Sequence, residues 1–130
     1  MSRPVLVVED DPVLQAVVQD ILEFNGYAVL QASNGKEALS LLRSLSDDAL
    51  PQCIVLDLMM PIMDGRSFLL AMKGQEKEAL KKIPVVIWTG MAPEGVKKLD
   101  LPPEVELVPK LMDLDQIVRI VEKTCGKSVS

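Results

Sequence analysis

Histidine is absent from this chain, aromatic residues make up only 3% of it, and cysteine occurs twice. Without histidine there is no Ser-His or Cys-His nucleophile, and the commonest general base is missing. Cys53 and Cys125 show no Cys-x-x-Cys spacing and have no histidine to complete a zinc site, so both read as reduced packing residues. No apolar run reaches the roughly 18 residues of a membrane span, and Met1-Ser2-Arg3-Pro4 ahead of a short apolar segment lacks the form of a secretory signal. The expectation is a soluble cytoplasmic protein without membrane contact. Basic residues are outnumbered, 14 Lys and Arg against 19 Asp and Glu, for a net charge of −5. That balance argues against direct nucleic-acid binding, which needs phosphate-neutralising cations on one face.

The length of 130 residues suits one domain over 1–130, burying roughly two-thirds of the surface its unfolded form would expose. Within it, one punctuation recurs: a short apolar run, then a polar residue. Val5 to Val8 leads to Glu9-Asp10, Cys53 to Leu56 to Asp57, Val85 to Trp88 to Thr89, and Val105 to Pro109 to Lys110. Apolar runs without alternation suit strands covered on both faces, as in parallel sheets flanked by helices.

Helical signals fill the gaps. Asp11 can cap a helix with Pro12 in its first turn, and Leu14, Val17, Val18, Ile21 and Leu22 form its buried stripe. Asn25-Gly26 stops it, and a strand from Tyr27 to Ala32 follows. Asn34 and Glu37 have the spacing of a capping box before Ala38, Leu41, Leu42 and Leu45. Ser46 to Gln52 reads as a polar connection. A helix is expected over about 66–72, resuming after Gly74 to Lys81, then a strand from Ile83 to Trp88 and a short proline-bounded helix near 94–99. Asp113 and Gln116 have the form of a capping box for a last helix carrying Leu114, Ile117, Val118 and Val121. Strands and helices alternating five times predict an α/β fold, a doubly wound five-stranded parallel sheet in the flavodoxin-like order 2-1-3-4-5 with helices on both faces. Glu9, Asp10 and Asp57 then flank the switch-point crevice at the carboxyl ends of strands one and three.

Carboxylates brought together repel one another, and a hard divalent cation relieves the repulsion. Magnesium takes oxygen ligands and keeps several waters, so two or three carboxylates with a backbone carbonyl suit it. Lys110 adds a positive charge and Thr89 a hydroxyl, and such a group can bind and polarise a phosphoryl group with Asp57 as nucleophile. Each residue also has a plain structural reading: Glu9 and Asp10 as helix-dipole partners, Thr89 as a helix start, Lys110 as a solvated strand end.

The combination resembles the receiver domain of two-component response regulators. The resemblance spans almost the whole chain and rests on Val-Val-Glu-Asp-Asp (Val7 to Asp11), Val-Leu-Asp-Leu-Met-Met-Pro-Ile-Met-Asp-Gly (Val55 to Gly65), Thr89 and Lys110. It implies that Asp57 accepts a phosphoryl group from the phosphohistidine of a histidine kinase or phosphotransfer protein. It also implies that Glu9 or Asp10, with Asp57 and the carbonyl of Met59, holds Mg²⁺, and that Thr89 and Lys110 contact the phosphoryl group and signal its presence to a downstream protein. Met59 and Met91 fall beside the phosphoryl position, where they would cover the approach of hydrolytic water.

The chain departs from the family pattern in three places. Leu111 stands where members usually have the proline after the lysine, Leu107 where many have a switch aromatic, and the fourth helix is short. No aromatic swing is expected. Two other functions compete: a pseudo-receiver that works by contact without phosphorylation, and an aspartyl-phosphate phosphatase of the haloacid dehalogenase type. Those phosphatases carry a second Asp two residues after the nucleophile, where Met59 stands here. The receiver reading makes the protein no enzyme beyond its own phosphorylation and dephosphorylation.

Overall fold

A computed structural model of the chain describes residues 3–57, 65–74, 78–90, 93–98, 106–109 and 115–125. The elements run β1 (Val5–Val8), α1 (Pro12–Phe24), β2 (Val29–Ala32), α2 (Gly35–Ser44), β3 (Cys53–Leu56), α3 (Gly65–Lys73), α4 (Glu78–Lys81), β4 (Val85–Thr89), α5 (Pro93–Lys97), β5 (Glu106–Pro109) and α6 (Asp115–Cys125). Pairing is parallel in the order β2-β1-β3-β4, and the backbone of β5 pairs with β4. Every residue of β1, β3 and β4 is buried, which is why these segments carry no polar alternation. β2, on the outside of β1, is only partly covered.

Alternate side chains of the central strands enter two separate cores. Leu6, Val8, Ile54, Leu56, Val85 and Ile87 pack with α2 through Ala38, Leu39 and Leu42, with α3 through Phe68, Leu69 and Met72, and with Leu80 and Val96. Val5, Val7, Cys53, Val55, Val86 and Trp88 pack with Val18 and Leu22 of α1 and Ile117, Val118 and Val121 of α6. Helices therefore cover both faces of the sheet. Each fully buried Leu, Ile or Val contributes roughly 1.5–3 kcal/mol against exposure, and the two cores together hold the strand ends in place.

Local sequence rules account for most of the boundaries. Asp11 accepts hydrogen bonds from the backbone N–H groups of Val13 and Leu14, with Pro12 opening the helix as expected. Gly26 takes a φ of 91°, its N–H donates to Glu23 and the N–H of Tyr27 donates to Leu22. This paired closure of α1 consumes the Tyr27 donor, so β2 starts at Val29 rather than at Tyr27. The box at the start of α2 is shifted by one residue. Glu37 N–H donates to Asn34 Oδ1 at 2.8 Å, but the Glu37 carboxylate accepts from the N–H of Ser33, not from that of Asn34. The connection before β3 is not wholly polar: it holds a 3₁₀ turn, Asp47–Ala49, and buries Leu50 and Pro51. The expected capping pair at Asp113 lies outside the described residues. Among the described residues no helix is long and apolar enough to cross a membrane.

Candidate functional site

β1 and β3 end in step, with Val8 level with Leu56, so Glu9 and Asp57 leave the sheet side by side. One further rung fixes each of them. The N–H of Asp57 donates to the Val8 carbonyl at 3.1 Å, and the N–H of Glu9 donates to the Ala32 carbonyl at 3.0 Å. Backbone pairing thus sets both residues before their side chains are considered. Glu9 is 1% and Asp57 4% exposed, whereas Asp10 is exposed at the rim. Three successive acids divide the work: Glu9 faces inward, Asp10 lines the opening, and Asp11 is taken by the helix cap.

Glu9, Asp10 and Asp57 each offer one carboxylate oxygen, and these three atoms lie within 4.8 Å of one another. Opposite ligands of an octahedral Mg²⁺ stand about 4.2 Å apart and adjacent ones about 3 Å. At most one of the three oxygen pairs can stand opposite across such an ion, so the other two must come to about 3 Å, an approach of up to about 1.8 Å from the 4.8 Å limit. Hard oxygen donors, one exposed for access and two buried for fixity, fit magnesium better than a soft-ligand metal. Like charges at this spacing repel by on the order of 3 kcal/mol per pair at an effective dielectric constant of about 20. A cation reverses the sign of that balance.

Thr89 closes β4 on the other side of Asp57 and is 4% exposed. It stands level with Pro109 of β5, the residue before Lys110. Gly90 follows, exposed, and among the described residues a Cβ built there would meet no atom within 4 Å. Lys110, Met59, Met91 and Leu111 lie outside the described residues, as does the side chain of Leu107. A further polar residue at this edge escaped sequence reading: Gln15 of α1, whose amide reaches the carbonyls of Glu9 and Ala32. Its only sequence signal is its place one turn beyond the helix cap, which polar helix residues occupy routinely.

Residues 5–122 match the response regulator receiver domain. The chain belongs to the response regulator receiver family. It is 33% identical over 120 residues to the response regulator MprA of Mycobacterium tuberculosis, covering 91% of this chain and 48% of MprA. It is 37% identical over 103 residues to a probable transcriptional regulator, ycf29, of Pyropia yezoensis, covering 78% and 44%. The receiver chain thus spans about half the length of these relatives. Among solved structures, the receiver domain of a signal transduction histidine kinase from Syntrophus aciditrophicus is 27% identical with a TM-score of 0.82, over 99% of this chain and 98% of that one. The receiver domain of a sensor histidine kinase from Pseudomonas aeruginosa PAO1, with a magnesium ion coordinated in its active site cleft, superposes with a TM-score of 0.83 at 24% identity, over 98% and 100%. The α/β receiver fold, with its parallel sheet and helices, is therefore common to them all, and the chain is a signalling receiver domain of the two-component type.

Proposed function

We propose that Asp57 is the phosphoacceptor of this receiver, and that Glu9, Asp10, Asp57 and the carbonyl of Met59 hold Mg²⁺ beside it. The observation that carries this reading is the convergence of three carboxylate oxygens within 4.8 Å at the carboxyl ends of β1 and β3. Mg²⁺, when bound, supplies positive charge next to phosphoryl oxygens. The magnesium site of the Pseudomonas receiver gives the same assignment external support.

In this reading a carboxylate oxygen of Asp57 attacks the phosphorus of a phosphohistidine on a histidine kinase or phosphotransfer protein. The new O–P bond forms as the P–N bond breaks, and the electron pair of that bond returns to the imidazole. Burial of Asp57 and its backbone bond to Val8 orient the nucleophile. The Thr89 hydroxyl donates to a phosphoryl oxygen, and the Lys110 ammonium pairs with another. The same reading takes 1–130 as a single receiver with a five-stranded 2-1-3-4-5 sheet, working in the cytoplasm and signalling to a downstream protein by contact. Its only chemistry is its own phosphorylation and dephosphorylation.

Treatment with acetyl phosphate and Mg²⁺ followed by intact-mass measurement tests the assignment. Wild type gains one phosphoryl group, and Asp57→Asn gains none, because the amide is a poor nucleophile and a poorer metal ligand. An equal gain in both would overturn it.

A further inference from the structure

Gln15 lies in the second turn of α1, partly buried, with Nε2 3.2 Å from the carbonyl oxygen of Glu9 and 3.1 Å from that of Ala32. Both neighbours are acceptors only, so the end of the amide that faces them is the NH₂ group, with one hydrogen for each. The Ala32 carbonyl also accepts the N–H of Glu9 at 3.0 Å. The last residue of β2, the first residue past β1 and the flank of α1 are thereby tied at one point.

The bond to Glu9 has a consequence for the acids. Its carbonyl belongs to the planar Glu9–Asp10 peptide, whose two ends are the Cα atoms bearing two of the three clustered carboxylates. Pairing of β1 with β2 and β3 ends at Val8. The N–H of Glu9 adds one further rung to Ala32, and the Glu9–Asp10 plane lies one step beyond it, where Gln15 donates to its carbonyl.

We infer that Gln15 is a positioning residue for the cation site: it holds the Glu9–Asp10 peptide in the orientation that brings both carboxylates to Asp57, while touching neither the ion nor the reacting atoms. The inference rests on the proposed reading of Glu9, Asp10 and Asp57 as that site. Groups that orient metal ligands typically matter ten- to hundredfold in affinity.

Gln15→Met keeps the length and shape of the side chain and removes both donors. Calorimetric Mg²⁺ titration should show its dissociation constant raised by about ten- to hundredfold over wild type, with the phosphorylation rate at saturating Mg²⁺ close to wild type because every ligand remains. Gln19→Met is the control. One turn further along α1, Gln19 donates to Glu23 at 3.3 Å and accepts from Gln31, so its loss costs the helix similar bonds away from the acids. It should leave Mg²⁺ affinity unchanged. Absence of Mg²⁺ binding by wild type would defeat the site itself rather than the role of Gln15. Wild-type affinity in Gln15→Met, or equal weakening in both variants, would overturn the positioning role. Should Gln15→Met not fold, Gln15→Asn keeps the amide but shortens its reach, and a raised dissociation constant is again expected, wild-type affinity being the contrary result.

Discussion

The N–H of Asp57 donates to the carbonyl of Val8, so the proposed phosphoacceptor is tied to the strand that presents Glu9. Position at this site comes from sheet register, and ligand chemistry from the side chains added to it. Substitutions at the rim should therefore separate metal affinity from folding.

Asp10→Asn is the sharpest separation, because Asp10 is exposed while Glu9 and Asp57 are buried. Removing one of three mutually repelling charges should leave the metal-free protein as stable as wild type or more so. The gain in thermal stability on adding Mg²⁺ should shrink, since that gain follows RT ln(1 + [Mg²⁺]/Kd). Thermal melts over a Mg²⁺ series measure both, and an unchanged Mg²⁺ response would remove Asp10 from the ligand set.

Its neighbour should behave in the opposite way. Asp11 accepts from Val13 and Leu14 as the cap of α1, so Asp11→Ala should cost about 1 kcal/mol of stability. Its effect on Mg²⁺ affinity should be far smaller than that of Asp10→Asn. Urea unfolding beside Mg²⁺ titration decides between the two roles, and a stability loss in Asp10→Asn with none in Asp11→Ala would reverse them.

Lys110→Ala should blunt the response to phosphorylation more than it harms folding. Phosphorylation adds about one negative charge beyond that of the aspartate, a local change that a nearby ammonium can follow. Thr89 stands level with Pro109, and Lys110 comes next. Amide chemical shifts with and without a beryllofluoride phosphoryl mimic report the response. A full wild-type shift pattern over residues 89 to 111 in Lys110→Ala would show that the lysine does not couple the site to its surroundings.

The runs of β1, β3 and β4 were legible because burial on both faces removes polar alternation, and the polar residue after the apolar run marks the sheet edge. Glu9, Asp10 and Asp57 could be grouped from that punctuation alone once the strand order was chosen. Less visible were features fixed by competition for single backbone groups. Tyr27 has strand character in sequence, but its N–H closes α1, and Glu37 reaches Ser33 instead of the cap residue itself. Gln15 was illegible for a different reason. Its role depends on where the β1 and β2 carbonyls end in space, which neither helical periodicity nor capping rules encode. The expectation of no aromatic swing rests on Leu107, whose backbone stands level with Ile87.

The lifetime of the phosphorylated state should depend on Met59 and Met91, two residues beyond Asp57 and two beyond Thr89. Hydrolysis of an aspartyl phosphate needs a water in line with the bond to be broken. A thioether is at best a weak acceptor and cannot orient that water strongly, while its apolar length can cover the approach. The phosphorylated protein is therefore expected to decay slowly unless a partner removes the phosphoryl group, as a relay or sustained signal requires. Met59→Asn with Met91→Glu should open the approach, offer polar contacts to water and speed decay, each tenfold change corresponding to about 1.4 kcal/mol of barrier. If the two methionines only pack against their loops, the double variant loses stability and keeps its decay rate. Phosphate release should be followed at a temperature where circular dichroism shows both proteins folded, and equal rates there would leave the methionines no part in setting the lifetime.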